Sequence, residues 1–187
     1  MTDWILIRHG ESTANAMNQL SGWQDVPLTE KGKTQAIQVG KQLAFFDFVH
    51  IVSSDLQRAF DTATIAMKEW SKVTGKIPPK IQVNTNLRER NFLSLQGRDK
   101  ATLRANGLMT ELRRWNSAPL GIETYNELLQ RVLPPLHNLS TGKTNALFAH
   151  GGVIRALVAH YRDIPRERIG TLKIPNCEPV KITINQK

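Results

Sequence analysis

Short apolar runs alternate with longer amphipathic segments along the chain. The apolar runs predict β-strands at residues 4–7, 49–52, 146–149 and 180–184, with a shorter strand at 81–83. Strands that alternate with helices usually form a parallel sheet covered by helices on both faces. The pattern therefore predicts an α/β fold, a three-layer sandwich with a mainly parallel central sheet flanked by helices.

The amphipathic segments predict five helices. They cover residues 29–44, about 54–70, 98–115, 122–138 and 151–161. Thr29 is the expected N-cap of the first helix, and Ser54 or Asp55 is the expected cap of the second. Pro134 and Pro135 are expected to kink or interrupt the fourth helix, because proline lacks the N–H that continues the helical hydrogen bonds.

The chain has 187 residues, which is within the usual size of one domain, and we predict a single domain over 1–187. Its apolar runs are far shorter than the roughly 20 residues of a membrane helix. No basic segment precedes the first apolar run, so we expect no signal peptide. The single cysteine, Cys177, excludes an internal disulfide and a Cys-rich zinc site. Together these features favour a cytoplasmic protein.

The net charge of +9 indicates an anionic partner. The basic residues are scattered, and aromatic residues make up only 6% of the chain. Nucleic-acid-binding surfaces commonly combine basic with aromatic side chains, and no such arrangement is present here. A small phosphorylated substrate therefore fits better than a polynucleotide, and the sequence leaves open whether two copies form a homodimer.

Polar or glycine-rich segments follow three of the predicted strands at once. They are Arg8-His9-Gly10, Ser53-Ser54-Asp55 and His150-Gly151-Gly152. The carboxyl ends of parallel strands form the ligand crevice in such folds, so we expect His9 and His150 to lie at one edge. Arg58 is about one helical turn beyond Asp55 and is expected to point the same way.

This cluster has the residues of a phosphoryl-binding pocket. Arginine presents a planar fork of donors that matches phosphoryl oxygens, and helix N-termini add N–H groups. The neighbouring cations Arg8 and Arg58 are expected to keep the imidazole of His9 neutral. A neutral imidazole can attack phosphorus to form a phosphohistidine, and Glu89, after the 81–83 strand, is placed to protonate the leaving alcohol.

Five sequence blocks, in order, resemble the histidine phosphatase superfamily, the group that includes the phosphoglycerate mutase-like family. The blocks are Arg8-His9-Gly10-Glu11-Ser12 with Asn15, residues 21–29 (SGWQDVPLT), residues 53–59 (SSDLQRA), Leu87-Arg88-Glu89-Arg90 and Ala149-His150-Gly151-Gly152. Three residues such as Arg-His-Gly are common in sequences, but five ordered blocks over nearly the whole chain are specific.

The resemblance implies a role for each residue of these blocks. It implies that His9 is the nucleophile, and that Glu89 is first the proton donor and then the base for water. It further implies that the phosphoryl group is held by Arg8, Arg58 and His150, assisted by Asn15 and the Gly151 backbone. No metal ion and no other cofactor are implied.

Whether the phosphohistidine is hydrolysed or returned to an acceptor decides between a phosphatase and a mutase. Mutase-like features are Ser21-Gly22-Trp23 after His9, Leu95-Gln96-Gly97 with Lys100 after Glu89, and the pair Arg113-Arg114. Other features depart from that branch. Only six residues separate Arg114 from Gly121, residues 91–94 read Asn-Phe-Leu-Ser, and the sequence given stops directly after the last predicted strand. We read these departures as an open, hydrated site and favour a phosphatase.

The preferred prediction is thus a histidine acid-type phosphomonoesterase for small phosphomonoesters. Four cations beside the Glu89 loop are expected to bind a second acidic group of the substrate: Arg90, Lys100, Arg113 and Arg114. A cofactor-dependent phosphoglycerate mutase is the alternative, and a non-catalytic basic binding protein is a third interpretation.

Overall fold

The computed structural model describes residues 1–185. Five strands form one sheet in the order β3-β2-β4-β1-β5. They are β1 (Thr2–Arg8), β2 (His50–Ser53), β3 (Ile81–Val83), β4 (Thr144–Ala149) and β5 (Pro179–Ile184). All neighbours pair in parallel except β5, which is antiparallel to β1. The predicted strands and the mainly parallel sheet are confirmed.

Helices cover both faces of this sheet. They are α1 (Thr13–Ala16), α2 (Glu30–Gln42), α3 (Gln57–Thr74), α4 (Lys100–Ala105), α5 (Leu108–Glu111), α6 (Tyr125–Asn138) and α7 (Gly151–Tyr161). Successive side chains of β1 point to opposite faces. Ile5 and Ile7 belong to the core shared with α2 and α3, whereas Trp4 and Leu6 belong to the core shared with α6 and α7. The predicted three-layer arrangement is confirmed.

The predicted N-cap of α2 is confirmed, whereas the predicted N-cap of α3 is wrong. Thr29 caps α2 through its side chain, which accepts from Gly32 N. Neither Ser54 nor Asp55 caps α3, which begins after Leu56. Asp25, from the preceding loop, instead accepts a hydrogen bond from Gln57 N at 2.7 Å. A residue distant in sequence therefore caps α3 in place of the predicted local residues.

Two helix predictions need correction. The segment 98–115 forms two short helices, α4 and α5, because Gly107 adopts a left-handed φ of 77° between them. The fourth predicted helix, α6, runs through both Pro134 and Pro135 without interruption. Its start is a capping box between Thr124 and Glu127, and its buried face packs on the core shared with α7. Packing of that face outweighs the two missing backbone donors.

A third, smaller apolar cluster lies in the segment that follows β3. Its buried members are Leu20, Phe92, Leu95, Leu103, Leu112 and Ile122. The cluster ties α4 and α5 to the loop around Leu20, which follows β1 in the chain. The segment containing α4 and α5 is thereby held against the carboxyl edge of the sheet. Within residues 1–185, no helix is both long enough and apolar enough to cross a membrane.

Candidate active site

His9 directly follows β1 and is almost fully buried, with 3% of its surface exposed. Its Nδ1 lies 2.7 Å from the carbonyl oxygen of Gly10. Because a carbonyl oxygen only accepts hydrogen bonds, Nδ1 must carry the proton. On the other side of the ring, Arg58 Nε donates to Nε2 at 3.3 Å. Both contacts define the same tautomer, in which Nδ1 carries the proton and Nε2 carries a lone pair that faces Arg58.

The pKa of His9 lies well below its ordinary value of 6.5. Burial is the main cause, and the cations Arg58 and Arg8 lower the pKa further. The sequence indicated the two cations but not the larger effect of burial. His9 is therefore a neutral imidazole at physiological pH.

Arg8 and Arg58 flank His9 from different elements. Arg8, the last residue of β1, donates from Nη1 to Ile174 O at 2.7 Å. Arg58, in the first turn of α3, donates to Gln24 O and Gly22 O at 2.8 and 2.7 Å. Arg58 has no exposed surface, and burial lowers its pKa to about 10, so it remains charged at neutral pH. The carbonyl groups thus fix both guanidinium planes beside the imidazole.

His150 follows β4, the strand beside β1, and lies next to His9 as predicted. The two ring centroids are 5.3 Å apart in an edge-to-face arrangement. His150 is completely buried, its Nε2 lies 2.9 Å from Ser54 Oγ, and burial is the main cause that lowers its pKa well below 6.5. Among the described residues, His150 Nδ1 and Arg8 Nε are buried nitrogen atoms without a hydrogen-bond partner.

Glu89 lies in the loop after β3 and contacts the N-terminus of α7. Its Oε2 accepts a hydrogen bond from Gly152 N, and its Oε1 accepts one from Arg90 N, both at 2.9 Å. Gly152 lies in the first turn of α7, so the N-terminus of that helix holds the carboxyl group. A Cβ atom at position 152 would collide with Glu89 Oε1. Glycine is therefore required for the carboxyl group to lie where it does.

A cavity of about 290 Å³ at the carboxyl edge of the sheet is lined by Arg8, His9, Arg58 and Glu89, but not by His150. Seven of its lining residues are cationic, and among the described residues that line it Glu89 alone has a carboxyl group. The cations are Arg8, Arg58, Arg90, Lys100, Arg104, Arg113 and Arg155. Such a lining concentrates positive potential in one concave site and favours small, multiply charged anions. The high net charge of the chain thus has one local cause.

Most of the predicted substrate-binding residues line this cavity. They are Asn15, Ser21, Gly22, Gly151, Arg90, Lys100 and Arg113. Arg90 is 1% exposed, and its guanidinium donates to the carbonyl oxygens of Glu123 and Leu112. Arg114 does not line the cavity; it is exposed and pairs with Glu111 at 2.7 Å. Of the four predicted clamp residues, Arg90 and Arg114 are therefore bound by other protein groups. Lys100 and Arg113 remain as cations of the cavity.

Several residues of the site were missed by the sequence analysis. Arg104 lies in α4 one turn after Lys100, and Arg155 lies in α7 one turn after Gly151. Helical spacing of four residues places each beside a predicted site residue, which is a signal that could have identified them. Trp23 has no such signal: its Nε1 donates to Glu89 O at 2.6 Å. That contact joins two loops which are far apart in sequence.

Within residues 1–185, no group of three or more His, Cys, Asp or Glu side chains is arranged to hold a metal ion. The charged groups beside His9 are arginine and lysine side chains, which bind anions. Cys177 is buried, and burial raises the pKa of its thiol to about 12, so it is a thiol and not a thiolate at neutral pH.

A buried, neutral histidine thus lies among arginines at the carboxyl edge of an α/β sheet, an arrangement suited to an anionic ligand. Residues 4–187 match the family model of the histidine phosphatase superfamily (branch 1). The chain belongs to this superfamily, and the resemblance inferred from the five sequence blocks is confirmed.

Relatives with both kinds of activity are similar to the chain. It is 30% identical to 2,3-bisphosphoglycerate-dependent phosphoglycerate mutase 1 of Latilactobacillus sakei, over 95% of this chain and 87% of the relative. The structure of a mycobacterial glucosyl-3-phosphoglycerate phosphatase, in a complex with VO3, superimposes with a TM-score of 0.83 at 28% identity, covering 97% of this chain and 92% of that one. Bacillus stearothermophilus YhfR gives a TM-score of 0.85 at 26% identity, covering 99% and 92%.

Proposed function

We propose that this protein is a phosphatase that hydrolyses small phosphomonoesters through a phosphohistidine on His9, with Glu89 as the proton donor. The observation that carries the proposal is the tautomer of His9. Its Nδ1–H is committed to Gly10 O, and its Nε2 lone pair is directed toward Arg58 beside a cationic cavity. A fixed neutral imidazole beside phosphate-binding arginines is the arrangement that nucleophilic attack on phosphorus requires.

In the first step, the lone pair of His9 Nε2 attacks phosphorus and the ester P–O bond breaks. The electron pair of that bond goes to the leaving oxygen, which takes a proton from the acid form of Glu89. The products are a phosphohistidine, the free alcohol and the Glu89 carboxylate. Phosphoryl oxygens supply acceptors for Arg8 Nε and for the His150 Nδ1 position, which are two of the buried nitrogen atoms without a partner in the described residues.

In the second step, water attacks the phosphohistidine and Glu89 takes its proton. The P–N bond breaks, its electron pair returns to Nε2, and inorganic phosphate forms. The hydrogen bond from Nδ1 to Gly10 O holds the ring in place through both steps. Arginine and helix N–H groups neutralise the charge that develops on the phosphoryl oxygens, so we expect no metal ion or other cofactor to be needed.

Hydrolysis is favoured over mutase activity because the cavity opens to solvent. Three of its lining residues, Asn18, Arg104 and Arg113, are exposed. A mutase has to keep water from the phosphohistidine. The aligned stretch with the Latilactobacillus sakei mutase spans 210 residues, more than the 187 of this chain, so that mutase carries residues which this chain lacks. Mutase activity remains the second candidate, because relatives at 30–31% identity carry that name.

The substrate we propose carries a second acidic group besides the phosphoryl group. Lys100, Arg104 and Arg113 line the cavity on the side of α4 and α5. Arg90 and Arg114 are less suited to this role, because main-chain carbonyl groups and Glu111 occupy their guanidinium groups. We therefore replace the clamp predicted from sequence by Lys100, Arg104 and Arg113.

One experiment separates the two candidate activities. The protein is incubated with 3-phosphoglycerate and catalytic 2,3-bisphosphoglycerate, and separately with a panel of phosphoesters that includes glucosyl-3-phosphoglycerate. We expect release of inorganic phosphate without isomerised product. Isomerisation much faster than phosphate release would establish the mutase instead.

The third interpretation, a non-catalytic basic binding protein, is tested by His9→Ala. We expect this variant to lose the turnover of a chromogenic phosphate ester that the wild type shows. Equal rates for both proteins would remove the enzyme proposal. Binding to a polynucleotide that weakens steeply with salt would then support the binding protein. We expect the protein to act in the cytoplasm, on a small phosphorylated substrate.

A further inference from the structure

Glu123 and Arg131 form an ion pair outside the cavity, next to the loop that carries Glu89. Arg131 Nε and Nη2 lie 2.6 and 2.9 Å from the two carboxylate oxygens of Glu123. The Arg131 side chain is 19% exposed and the Glu123 side chain is 15% exposed, so the pair is largely shielded from water. Neither residue lines the substrate cavity. A bidentate pair of this kind has a fixed relative orientation.

Arg131 uses its remaining donors on the backbone of the Glu89 loop. Nη1 donates to Asn86 O and Arg88 O at 2.5 and 2.9 Å, and Nη2 donates to Glu89 O at 2.9 Å. A guanidinium group has five N–H donors, and all five of these have an acceptor. Lysine has the charge but not the planar fork, and it cannot reproduce this set of contacts.

Glu123 holds the same loop on the other side of Glu89. Its Oε2 accepts from Asn91 N at 3.2 Å, and its backbone carbonyl accepts from Arg90 Nε at 2.8 Å. The pair is thus attached to the chain both before and after Glu89. The carboxyl group of Glu89 makes no contact with the pair; it is held by Gly152 N and Arg90 N.

We propose that the Glu123–Arg131 pair positions Glu89 for proton transfer to the leaving group. This inference rests on the proposed function, in which Glu89 is the proton donor. The pair fixes the loop backbone, and the fixed backbone places the carboxyl group at the N-terminus of α7. Arg131 and Glu123 are positioning residues, since neither contacts the cavity.

The test uses the dependence of kcat/KM on the leaving group. An alkyl phosphate such as glycerol phosphate releases a basic alkoxide that needs a proton, whereas p-nitrophenyl phosphate releases a stabilised phenolate that does not. The value of kcat/KM reports transfer of the phosphoryl group to His9, before the shared hydrolysis step. We expect Arg131→Lys and Glu123→Gln each to lower kcat/KM for glycerol phosphate about 10- to 100-fold, which is part of the range of general acid catalysis. We expect less than about a threefold change for p-nitrophenyl phosphate.

The matched control is Glu127→Gln, in the same region of α6. Glu127 completes the capping box with Thr124 but makes no hydrogen bond to residues 86–91. We expect this variant to change the melting temperature without changing the ratio of the two kcat/KM values. If the ratio of the two kcat/KM values changes equally in Glu127→Gln and in the pair variants, the pair acts only on stability. The inference is then wrong.

Glu89→Gln separates failure of this inference from failure of the proposed function. We expect it to show the same selective loss on glycerol phosphate, and to a greater degree. If Glu89→Gln is selective and neither pair variant is, the proton donor stands and the positioning role is refuted. If Glu89→Gln is not selective, the proton-donor role itself is refuted. If Arg131→Lys fails to fold, Glu123→Gln alone decides, because it keeps the size of the side chain.

Discussion

Arg58 Nε lies 3.3 Å from His9 Nε2, the nitrogen atom that attacks phosphorus in the proposed mechanism. The two Nη atoms of Arg58 are already bound to Gly22 O and Gln24 O. The guanidinium is therefore held by the loop after α1 while its Nε contacts the imidazole of His9. Arg58 thus links the 21–29 loop to His9 and holds the His9 tautomer beside the cationic cavity.

Replacement of Arg58 by lysine tests the role of this link. We expect Arg58→Lys to lower kcat/KM by about 10²–10³, the range for loss of one donor that stabilises the transition state. Lysine keeps the positive charge, so the decrease in kcat/KM measures the contribution of the planar guanidinium group and of its hydrogen bonds to the loop. Steady-state kinetics give the value, and the melting temperature reports folding.

Arg162→Lys is the control for this prediction. Arg162 is exposed and donates to Lys181 O, away from the cavity. We expect its activity to equal that of the wild type. Near-wild-type activity of Arg58→Lys would show that charge alone suffices at position 58.

The residues that follow the strands were predictable because one rule places them. Strands β1 and β4 are neighbours, and Arg8 is in register with Ala149, so His9 and His150 must lie side by side. The same rule predicted Ser54 near this edge, and its backbone N–H donates to Phe148 O at 3.0 Å. Sheet topology, once inferred from the alternation of strands and helices, brought these residues together without any knowledge of loop conformation.

Residues that depend on loop conformation could not be predicted in this way. Arg114 is next to Arg113 in sequence, yet it faces Glu111 and not the cavity. Its direction depends on the break at Gly107, where a periodic pattern had indicated one continuous helix. Arg131 was missed for a related reason, because its five acceptors come from two separate segments of the chain.

The buried histidines predict a pH dependence of stability. The pKa values of His9 and His150 are well below 6.5 in the folded state, mainly because of burial. Below about pH 6.5 the unfolded chain binds protons at these histidines while the folded protein does not, so stability falls as the pH falls. Each histidine contributes a slope of up to about 1.4 kcal/mol per pH unit.

Urea unfolding at pH 7.5, 6.5, 5.5 and 5.0 measures this slope. We expect His9→Asn and His150→Asn each to flatten the curve relative to the wild type, and the double variant to flatten it most. Comparison between variants removes the contribution of the carboxylates, which is common to all of them. An unchanged slope in the double variant would contradict the prediction.

Lys100 predicts a change in substrate affinity at alkaline pH. Burial, with help from Arg8 and Arg104, lowers the pKa of Lys100 to about 8. Above that pH its amino group loses the proton and no longer attracts an acidic group. We therefore expect KM to rise between pH 7 and 9 for phosphoesters that carry a carboxylate, such as 3-phosphoglycerate.

Two controls isolate this effect. Glycerol phosphate, which has no second acidic group, should show no such rise. Lys100→Arg keeps a positive charge over the whole range and should abolish the rise for 3-phosphoglycerate. A rise of equal size in this variant would mean that another group titrates.

We predict that Gly152→Ala weakens proton donation by Glu89 without lowering the stability of the fold. A Cβ atom at this position collides with Glu89 Oε1, the mobile end of a side chain, so the carboxyl group has to leave Gly152 N. Alanine is the better helix former by about 1 kcal/mol, so the free energy of unfolding should not decrease. We expect kcat/KM for glycerol phosphate to fall at least about tenfold, with p-nitrophenyl phosphate much less affected.

A double-mutant cycle with Glu89→Gln shows whether the effect passes through Glu89. Residues in direct contact give non-additive effects, whereas independent residues give additive ones. If Gly152→Ala acts by displacing the carboxyl group, it should have little further effect once that group has been replaced by an amide. Full additivity of the two substitutions would indicate that the alanine side chain acts on the substrate itself, since Gly152 also lines the cavity.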